Sequence, residues 1–340
     1  MIQSAPWSTD KFNGMPYRFI GKSGLQASNI GLGTWKFGYP ETGDDSRVDE
    51  KTALQIFDRA VETGVTFWDT ANRYNNGTGN SEKIIGKWFK SNPDQRRNIV
   101  LATKVFGGMD GSTPNHSGLS RGNILDSVYA CLKRLQLEYI DLLYFHAFDP
   151  VVPIEESLCA IEDLVKRDLV RYFAVSNFTT AQLSMYRLAE EKTSVRCKIT
   201  AVQNQFDILN GESEKQKGVL EYAASSGISY IAWSPLARGL LTERYIDIAN
   251  IGPGDRLYDE GSSDLYRDEV LRRKLAGLAE LSAKWGIKLN QLALAYMLTL
   301  PGMGPLIPSS STIEQLESNA AAGKLTLDEA QLGLIKNILR

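Results

Sequence analysis

Four strand-like runs in this chain end on polar residues, and together they supply a complete set of groups for moving a proton. Val65-Thr66-Phe67-Trp68 stops at Asp69, and Tyr74 follows five positions later in a polar turn. Leu101-Ala102-Thr103 stops at Lys104, Leu142-Leu143-Tyr144-Phe145 at His146, and Tyr172-Phe173-Ala174-Val175 at Ser176-Asn177. Acid, phenol, amine and imidazole suit proton transfer to a carbonyl oxygen if the strands bring them to one place. Each residue alone has an ordinary structural reading. An Asp after a strand commonly caps the next turn, Tyr74 alone is as well read as a surface aromatic, and a lone His on an apolar run is usually a satisfied core residue. Lys104 is harder to explain that way. At the end of an apolar strand its ammonium is desolvated and needs a carboxylate, which Asp69 on the neighbouring strand supplies.

The elements that must position these residues follow a regular order. Residues 16–29 read as a hairpin around Lys22-Ser23-Gly24, and Ile30-Gly31-Leu32-Gly33-Thr34-Trp35 as a first strand opening into a loop. Leu54, Phe57 and Val61 mark a helix stopped by Gly64, before the strand ending at Asp69. Helices over Ser81 to Phe89, around Leu125 to Leu135, and after Pro153 alternate with the strands ending at Lys104, His146 and Asn177. Thr179 with Gln182 forms a capping box for the next helix. Strands over Ile199–Gln203, Ile228–Trp233 and Gly304–Pro308 complete eight, with a long loop (242–267) after the seventh. Eight strands alternating with helices predict an α/β fold, a (β/α)8 TIM barrel with an N-terminal hairpin and a lid-like loop after strand seven. Residues 1–15 read as an N-terminal tail and 16–340 as a single barrel domain. Barrel active sites lie on the loops after the strands, where all the polar residues above fall.

Composition narrows the function classes. The chain has 340 residues, is 43% hydrophobic and carries a formal net charge of −2, so it buries a large core and offers no basic footprint for nucleic acid. No apolar run approaches the ~20 residues of a membrane span, and residues 1–15 lack the apolar core of a signal peptide. Cys131, Cys159 and Cys197 are odd in number and widely spaced, which reads as reduced, mostly buried thiols in a cytoplasmic protein. With only His116 and His146 in the chain, no multi-histidine metal site can be built. Gly77-Thr78-Gly79 lacks the third glycine of a dinucleotide fingerprint, and no phosphate-binding P-loop motif occurs.

From about Tyr17 to Asn319 the chain resembles the aldo-keto reductase family, with features of its potassium-channel β-subunit branch. The resemblance rests on Gly31-Leu32-Gly33-Thr34-Trp35, on Asp69-Thr70-Ala71 with Tyr74 and Ser81-Glu82, and on Thr103-Lys104. It extends to Val175-Ser176-Asn177-Phe178, to Trp233-Ser234-Pro235-Leu236-Ala237-Arg238-Gly239-Leu240-Leu241, and to Ile307-Pro308 with Gln315 and Asn319. It implies a catalytic tetrad of Asp69, Tyr74, Lys104 and His146. It also implies a nicotinamide held by Ser176, Asn177 and Gln205, with Trp233 stacked on its ring and Thr34, Trp35 and Asp69 nearby. The pyrophosphate would lie under Ser234, Leu236, Gly239 and Leu240, with Pro235 and Arg238 among the cofactor contacts and Arg244 where the family has a clamping Lys. The adenosine end would meet Ser309, Ser310, Gln315 and Asn319.

Physical chemistry agrees with that assignment. Hydride delivery to a carbonyl carbon leaves charge on oxygen, which requires a proton donor in hydrogen-bond reach. Lys104 beside Tyr74 is expected to pull the phenol's pKa down, with Asp69 holding Lys104 charged. Trp35 and the loops around Phe106 and Phe148 are expected to wall the substrate. Three departures from the family pattern stand out. Trp233 replaces a common Tyr. Ser309 and Gln315 replace cations that grip the 2′-phosphate, although Gln315 also reads as part of a capping box begun by Thr312. Ser318 replaces a Glu. NADP(H) is favoured as cofactor with NAD(H) open, and the partner is a small carbonyl compound or its alcohol, with a sugar-derived one in view. Two other readings remain: an aldolase or isomerase using Lys104 as a Schiff-base amine, and a nucleotide-binding regulatory subunit. The sequence is silent on oligomeric state.

Overall fold

The computed structural model describes residues 10–109, 111–193 and 198–340, so Cys197 and residues 1–9 of the expected tail lie outside them. Three strands, β1 (Lys11–Phe12), β2 (Met15–Phe19) and β3 (Gln26–Ser28), pair antiparallel at the N-terminus. The sequence pattern foretold β2 and β3 but not β1, which places Lys11 and Phe12 in the sheet. Eight further strands run parallel: β4 (Leu32–Gly33), β5 (Phe67–Asp69), β6 (Val100–Val105), β7 (Ile140–Phe145), β8 (Val170–Ser176), β9 (Ile199–Gln205), β10 (Ser229–Trp233) and β11 (Met303–Ile307). Each pairs with its neighbour in chain order. The seam closes where Ile30 bridges Leu306 and Gly33 bridges Ser309, with Gly31 N–H donating to Leu306 O at 2.7 Å. The expected (β/α)8 barrel is the observed one.

Helices α1 (Glu50–Thr63), α2 (Tyr74–Gly77), α3 (Asn80–Ser91), α4 (Arg121–Leu135), α5 (Ile154–Lys166), α6 (Thr180–Glu190) and α7 (Val219–Ser226) follow the strands. After β10 come α8 (Arg256–Asp259), α9 (Ser263–Arg267), α10 (Glu269–Trp285) and α11 (Leu289–Met297), and α12 (Ile313–Ala322) and α13 (Glu329–Leu339) close the chain. The punctuation is local. Gly64 at φ 82° ends α1, and Thr179 and Gln182 form both halves of the predicted box at α6. At α12, Thr312 accepts from Gln315 N–H, but the Gln315 side chain accepts from Ser311 N–H at 2.8 Å, one residue upstream of a reciprocal box.

Strand alternation divides the core in two. Leu101, Leu143, Phe173, Val175, Val202 and Tyr230 point outward under the helices. Phe67, Ala102, Leu142, Tyr144, Ala174, Ala201, Ile231 and Ile307 fill the barrel, and Ile20 and Ala27 of the hairpin join them from below. Cys131 is buried but Cys159 is exposed, so the expectation of buried thiols fails for Cys159. Among the described residues, no helix is long and apolar enough to cross a membrane.

Candidate active site

Inward residues on a barrel strand recur every second position, so the last one on each strand stands at the carboxyl rim. Asp69, Lys104, Ser176, Gln203 and Trp233 share the parity of the interior residues Phe67, Ala102, Ala174, Ala201 and Ile231, and His146 follows Leu142 and Tyr144. The rim is therefore a ring of polar side chains resting on an apolar plug.

Within that ring, Asp69 and Lys104 are almost wholly buried. Lys104 Nζ donates to Asp69 Oδ1, to the Thr70 carbonyl at 3.0 Å and to the Tyr74 hydroxyl at 2.8 Å, which occupies all three of its protons. The second oxygen of Asp69 accepts from Gln203 Nε2 at 2.7 Å. Tyr74 and His146 meet edge to face with ring centroids 6.0 Å apart. The turn carrying Tyr74 is stapled by Asn75, at φ 60°, whose amide accepts from Ser81 N–H at 3.0 Å and donates to the Trp35 carbonyl at 3.2 Å.

Charge states follow from this packing. Desolvation lowers the Lys104 pKa, with Asp69 opposing. His146 is pushed down to about 3, first by desolvation and then by the charges of Lys104 and Arg73, so it is neutral at physiological pH. The Tyr74 phenol is not lowered as the sequence led us to expect. Desolvation first, and the Asp69 charge second, hold it well above its ordinary value. The Lys104 charge is already matched by Asp69, so burial governs the phenol, which stays protonated and can act as an acid.

A cleft of about 1490 Å³ opens above the ring and runs from Trp35, Tyr74 and His146 past Trp233 to Ser309, Gln315 and Asn319. Asn177 donates to the His146 carbonyl at 2.9 Å and accepts from Trp233 Nε1 at 3.3 Å, so one amide fixes the indole against the rim. Beyond Trp233 the backbone is unusual. Ser234, Ala237, Arg238 and Gly239 all have positive φ (56°, 48°, 58° and 103°). Non-glycine residues in that region cost about 1–3 kcal/mol each and persist where surrounding structure demands them. Leu236 at φ −103° followed by Ala237 at φ 48° is a right-then-left pair of the kind that shapes anion-binding turns, with the Ala237 N–H donated to the Ser234 carbonyl at 3.0 Å. The cleft thus fits an elongated dinucleotide. Ser176, Asn177 and Gln203 would meet an amide-bearing ring with Trp233 as its stacking face, and the strained turn would meet the pyrophosphate.

Most of the cofactor residues expected from the sequence line this cleft: Trp35, Asp69, Ser176, Asn177, Trp233, Ser234, Pro235, Leu236, Arg238, Gly239, Arg244, Ser309, Gln315 and Asn319. Four do not. Thr34 is buried and committed to the Asp69 carbonyl at 2.9 Å and to Ser81 at 2.8 Å. Leu240 is packed in the core. Ser310 is buried beneath Asn319, from which it accepts at 3.2 Å. Gln205 is replaced at the cleft by Gln203, because β8 and β9 pair with Ser176 opposite Gln203. Lys104 lies behind Asp69 and Tyr74 rather than on the cleft wall. Phe106 and Phe148, expected beside the substrate, do not line the cleft either. Both pack against the core, Phe148 on Phe178 and Tyr186. In their place stand Lys36, Asp45, Arg47, Arg73 and Asn76 on the loops, with Asp255, Arg256 and Glu260 from the insertion. That insertion is closed on itself by Arg244 to Asp255, and is tied to the opposite rim by Arg47 to Asp259 at 3.7 Å and by Arg256 over the Trp35 ring at 5.4 Å.

A ring of buried polar side chains at the mouth of a parallel barrel, facing a long cleft, fits a barrel oxidoreductase working with a dinucleotide. Comparison with known proteins gives the family. The aldo/keto reductase family profile matches residues 29–340. The uncharacterized oxidoreductase YrpG of Bacillus subtilis is 34% identical over 331 residues, 95% of this chain and 96% of that protein. A probable voltage-gated potassium channel subunit beta of Arabidopsis thaliana is 32% identical, covering 91% of each chain. The crystal structure of the thermostable aldo-keto reductase Tm1743 in complex with the inhibitor epalrestat superposes with a TM-score of 0.73 at 27% identity, covering 95% of this chain and 100% of that one. The chain belongs to the aldo/keto reductase family and is an NAD(P)H-dependent reductase.

Proposed function

We propose that the protein, acting through the whole barrel of residues 16–340, interconverts a small aldehyde or ketone and its alcohol, with Tyr74 as the proton donor. The observation that carries this reading is Lys104, which donates to Asp69 on one side and at 2.8 Å to the Tyr74 hydroxyl on the other. A reduced nicotinamide bound in the cleft supplies the hydride. Tyr74 gives its proton to the carbonyl oxygen as charge develops there, and the Lys104 ammonium stabilises the phenolate left behind. Asp69 keeps Lys104 charged and in place. Neutral His146, beside the Tyr74 ring, orients the carbonyl. The polar lining of Asp45, Arg47, Asn75 and Asn76 supports a substrate with polar substituents, a sugar-derived aldehyde among them.

NADP(H) is the proposed cofactor on family grounds, with NAD(H) as the competitor because Ser309 and Gln315 offer no cation to a 2′-phosphate. A Schiff-base role for Lys104 draws no support from the geometry. A nucleophilic amine must be unprotonated and face the substrate, whereas this one is buried with three acceptors. Similarity to a probable channel β-subunit favours a regulatory second reading, in which the bound nucleotide reports redox state. The test is titration of the cofactor-free protein with NADPH and NADH by tryptophan fluorescence, then NAD(P)H consumption with small aldehydes. Micromolar binding with steady turnover is expected. Binding without turnover favours the regulatory reading, and no binding of either nucleotide overturns the proposal.

A further inference from the structure

Arg73 differs from the other arginines that line the cleft. Arg47 faces Asp259 at 3.7 Å, Arg256 faces Glu260 at 2.9 Å, Arg238 faces Glu260 at 3.9 Å, and Arg244 is paired with Asp255. Lys36, at the same end, is held by Asp45 at 2.9 Å. Among the described residues Arg73 has no acid within ion-pair distance, although it lines the cleft and immediately precedes Tyr74. Its place is built into the backbone. The side chain lies against Gly107, just past the strand that carries Lys104, where a Cβ would come within 2.3 Å of Arg73 Cδ and 2.9 Å of Nη1. Its charge also reaches His146, helping to keep that ring neutral. The guanidinium therefore stands at the reacting end of the cleft.

We propose that Arg73 binds an anionic group of the substrate, so that the preferred carbonyl compounds are short chains bearing a carboxylate or a phosphate. The inference rests on the reductase reading above. A guanidinium offers a planar fork that matches either anion with two parallel hydrogen bonds. Because Arg73 directly precedes Tyr74, the anion must lie only a few bonds from the carbonyl, which excludes long apolar aldehydes. Two carboxylates of the cleft wall, Asp69 and Asp45, are already matched by Lys104 and Lys36, and neither pairs with Arg73.

The test uses matched pairs with the cofactor the protein binds: butanal against 4-oxobutanoate, and glyceraldehyde against glyceraldehyde 3-phosphate. One charged member should exceed its neutral partner in kcat/KM by about tenfold or more, chiefly through KM. Which pair shows the gap distinguishes carboxylate from phosphate. R73Q should lower that charged-to-neutral ratio by about 10–100-fold, with R73K between. Equal kcat/KM across both pairs, or a ratio unchanged in R73Q, overturns the inference while leaving the reductase reading intact. A second arm needs no turnover: succinate and inorganic phosphate are titrated against tryptophan fluorescence of wild type and of R73Q, whose fold is checked by its melting curve. One anion should bind at least about tenfold more weakly to R73Q. Arg73-dependent binding without turnover of any carbonyl would keep the anion site and sink the reductase reading. No difference in binding would sink the anion site.

Discussion

Two ion pairs of the same cleft make opposite uses of the same chemistry. Lys104 and Asp69 pair at the reacting end with side chains 1% and 2% exposed, whereas Arg244 and Asp255 pair on the insertion with side chains 53% and 9% exposed. The inner pair is expensive to desolvate, and apolar residues of like volume would often serve stability as well or better. Its remaining hydrogen-bonding groups are spent on Thr70, Tyr74 and Gln203, which ties the pair to the proposed proton donor. The outer pair is open to water on its Arg244 side, so it is screened more than the inner one and is easier to break. A rigid reacting end and a loosely tied wall suit a site that must hold a proton donor still while opening for a nucleotide.

The largest effects should come from breaking the inner pair. Beside that pair, Tyr74→Phe should lower kcat by about 10²–10⁴ with cofactor affinity nearly unchanged, since it removes the hydroxyl that donates the proton and accepts from Lys104. Lys104→Met should match that loss and also destabilise the protein by about 3–5 kcal/mol in denaturant melts, because Asp69 is left buried and unpaired. If Lys104→Met melted like wild type, the contrast between the two pairs would collapse.

Next in size is a pH effect confined to the inner end. The unfolded chain takes a proton on His146 near 6.5, but the folded protein only near 3. Stability contributed by the neutral ring is thus complete above pH 6.5 and is lost as pH falls towards 3, at a limiting slope of about 1.4 kcal/mol per pH unit. His146→Gln should lack that component, which urea melts of both proteins from pH 7 to 4 would reveal. Tyr74 is held protonated well past its ordinary value. The kcat/KM for carbonyl reduction should therefore show no step near 6.5 from His146 and no early alkaline loss from Tyr74.

The two ends were also unequally legible in the sequence. Asp69, Lys104 and His146 could be read because each breaks an apolar strand at its end, and a barrel turns strand ends into a single rim. Gln203, Asn204 and Gln205 are three consecutive amides; alternation turns Asn204 to the other face, and the register of β8 on β9 decides between Gln203 and Gln205. Phe148 misled because an aromatic on a rim loop looks like a substrate wall, whereas Phe178 and Tyr186 gave it better apolar cover beneath the loop. The protonated state of Tyr74 depends on burial and on the balance between Lys104 and Asp69, neither of which a strand pattern carries. The contacts of Arg244 and Arg256 arise in an irregular insertion with no periodicity to read.

At the far end of the cleft a smaller change is expected. Ser309 lines that end without a charge, where the proposed cofactor would place its adenosine, and Gln315 is occupied in capping α12. Ser309→Lys should improve NADPH affinity over NADH by about tenfold, the scale of one charge-assisted hydrogen bond at a partly wet site. Parallel fluorescence titrations would read the ratio. An unchanged ratio would mean that the 2′-position lies elsewhere.

The smallest effect would say most about the outer pair. Asp255 accepts from Arg244 Nε, from Nη2 at 2.6 Å and from Gly252 N–H at 2.9 Å, which holds its pKa below the usual carboxylate value. Asp255→Asn keeps the shape and removes the charge. If the pair is a latch over the cleft, NADPH association and dissociation should both quicken by about two- to fivefold in stopped-flow fluorescence, because the insertion opens more often. The dissociation constant, their ratio, should move far less. Raising ionic strength from 0.05 to 0.5 M should narrow the gap between variant and wild type, since the Debye length falls from about 14 to about 4 Å and screens the pair. A change confined to dissociation would instead make Asp255 a positioner of Arg244 against the bound nucleotide, and the outer pair would belong with the inner one as part of the binding chemistry.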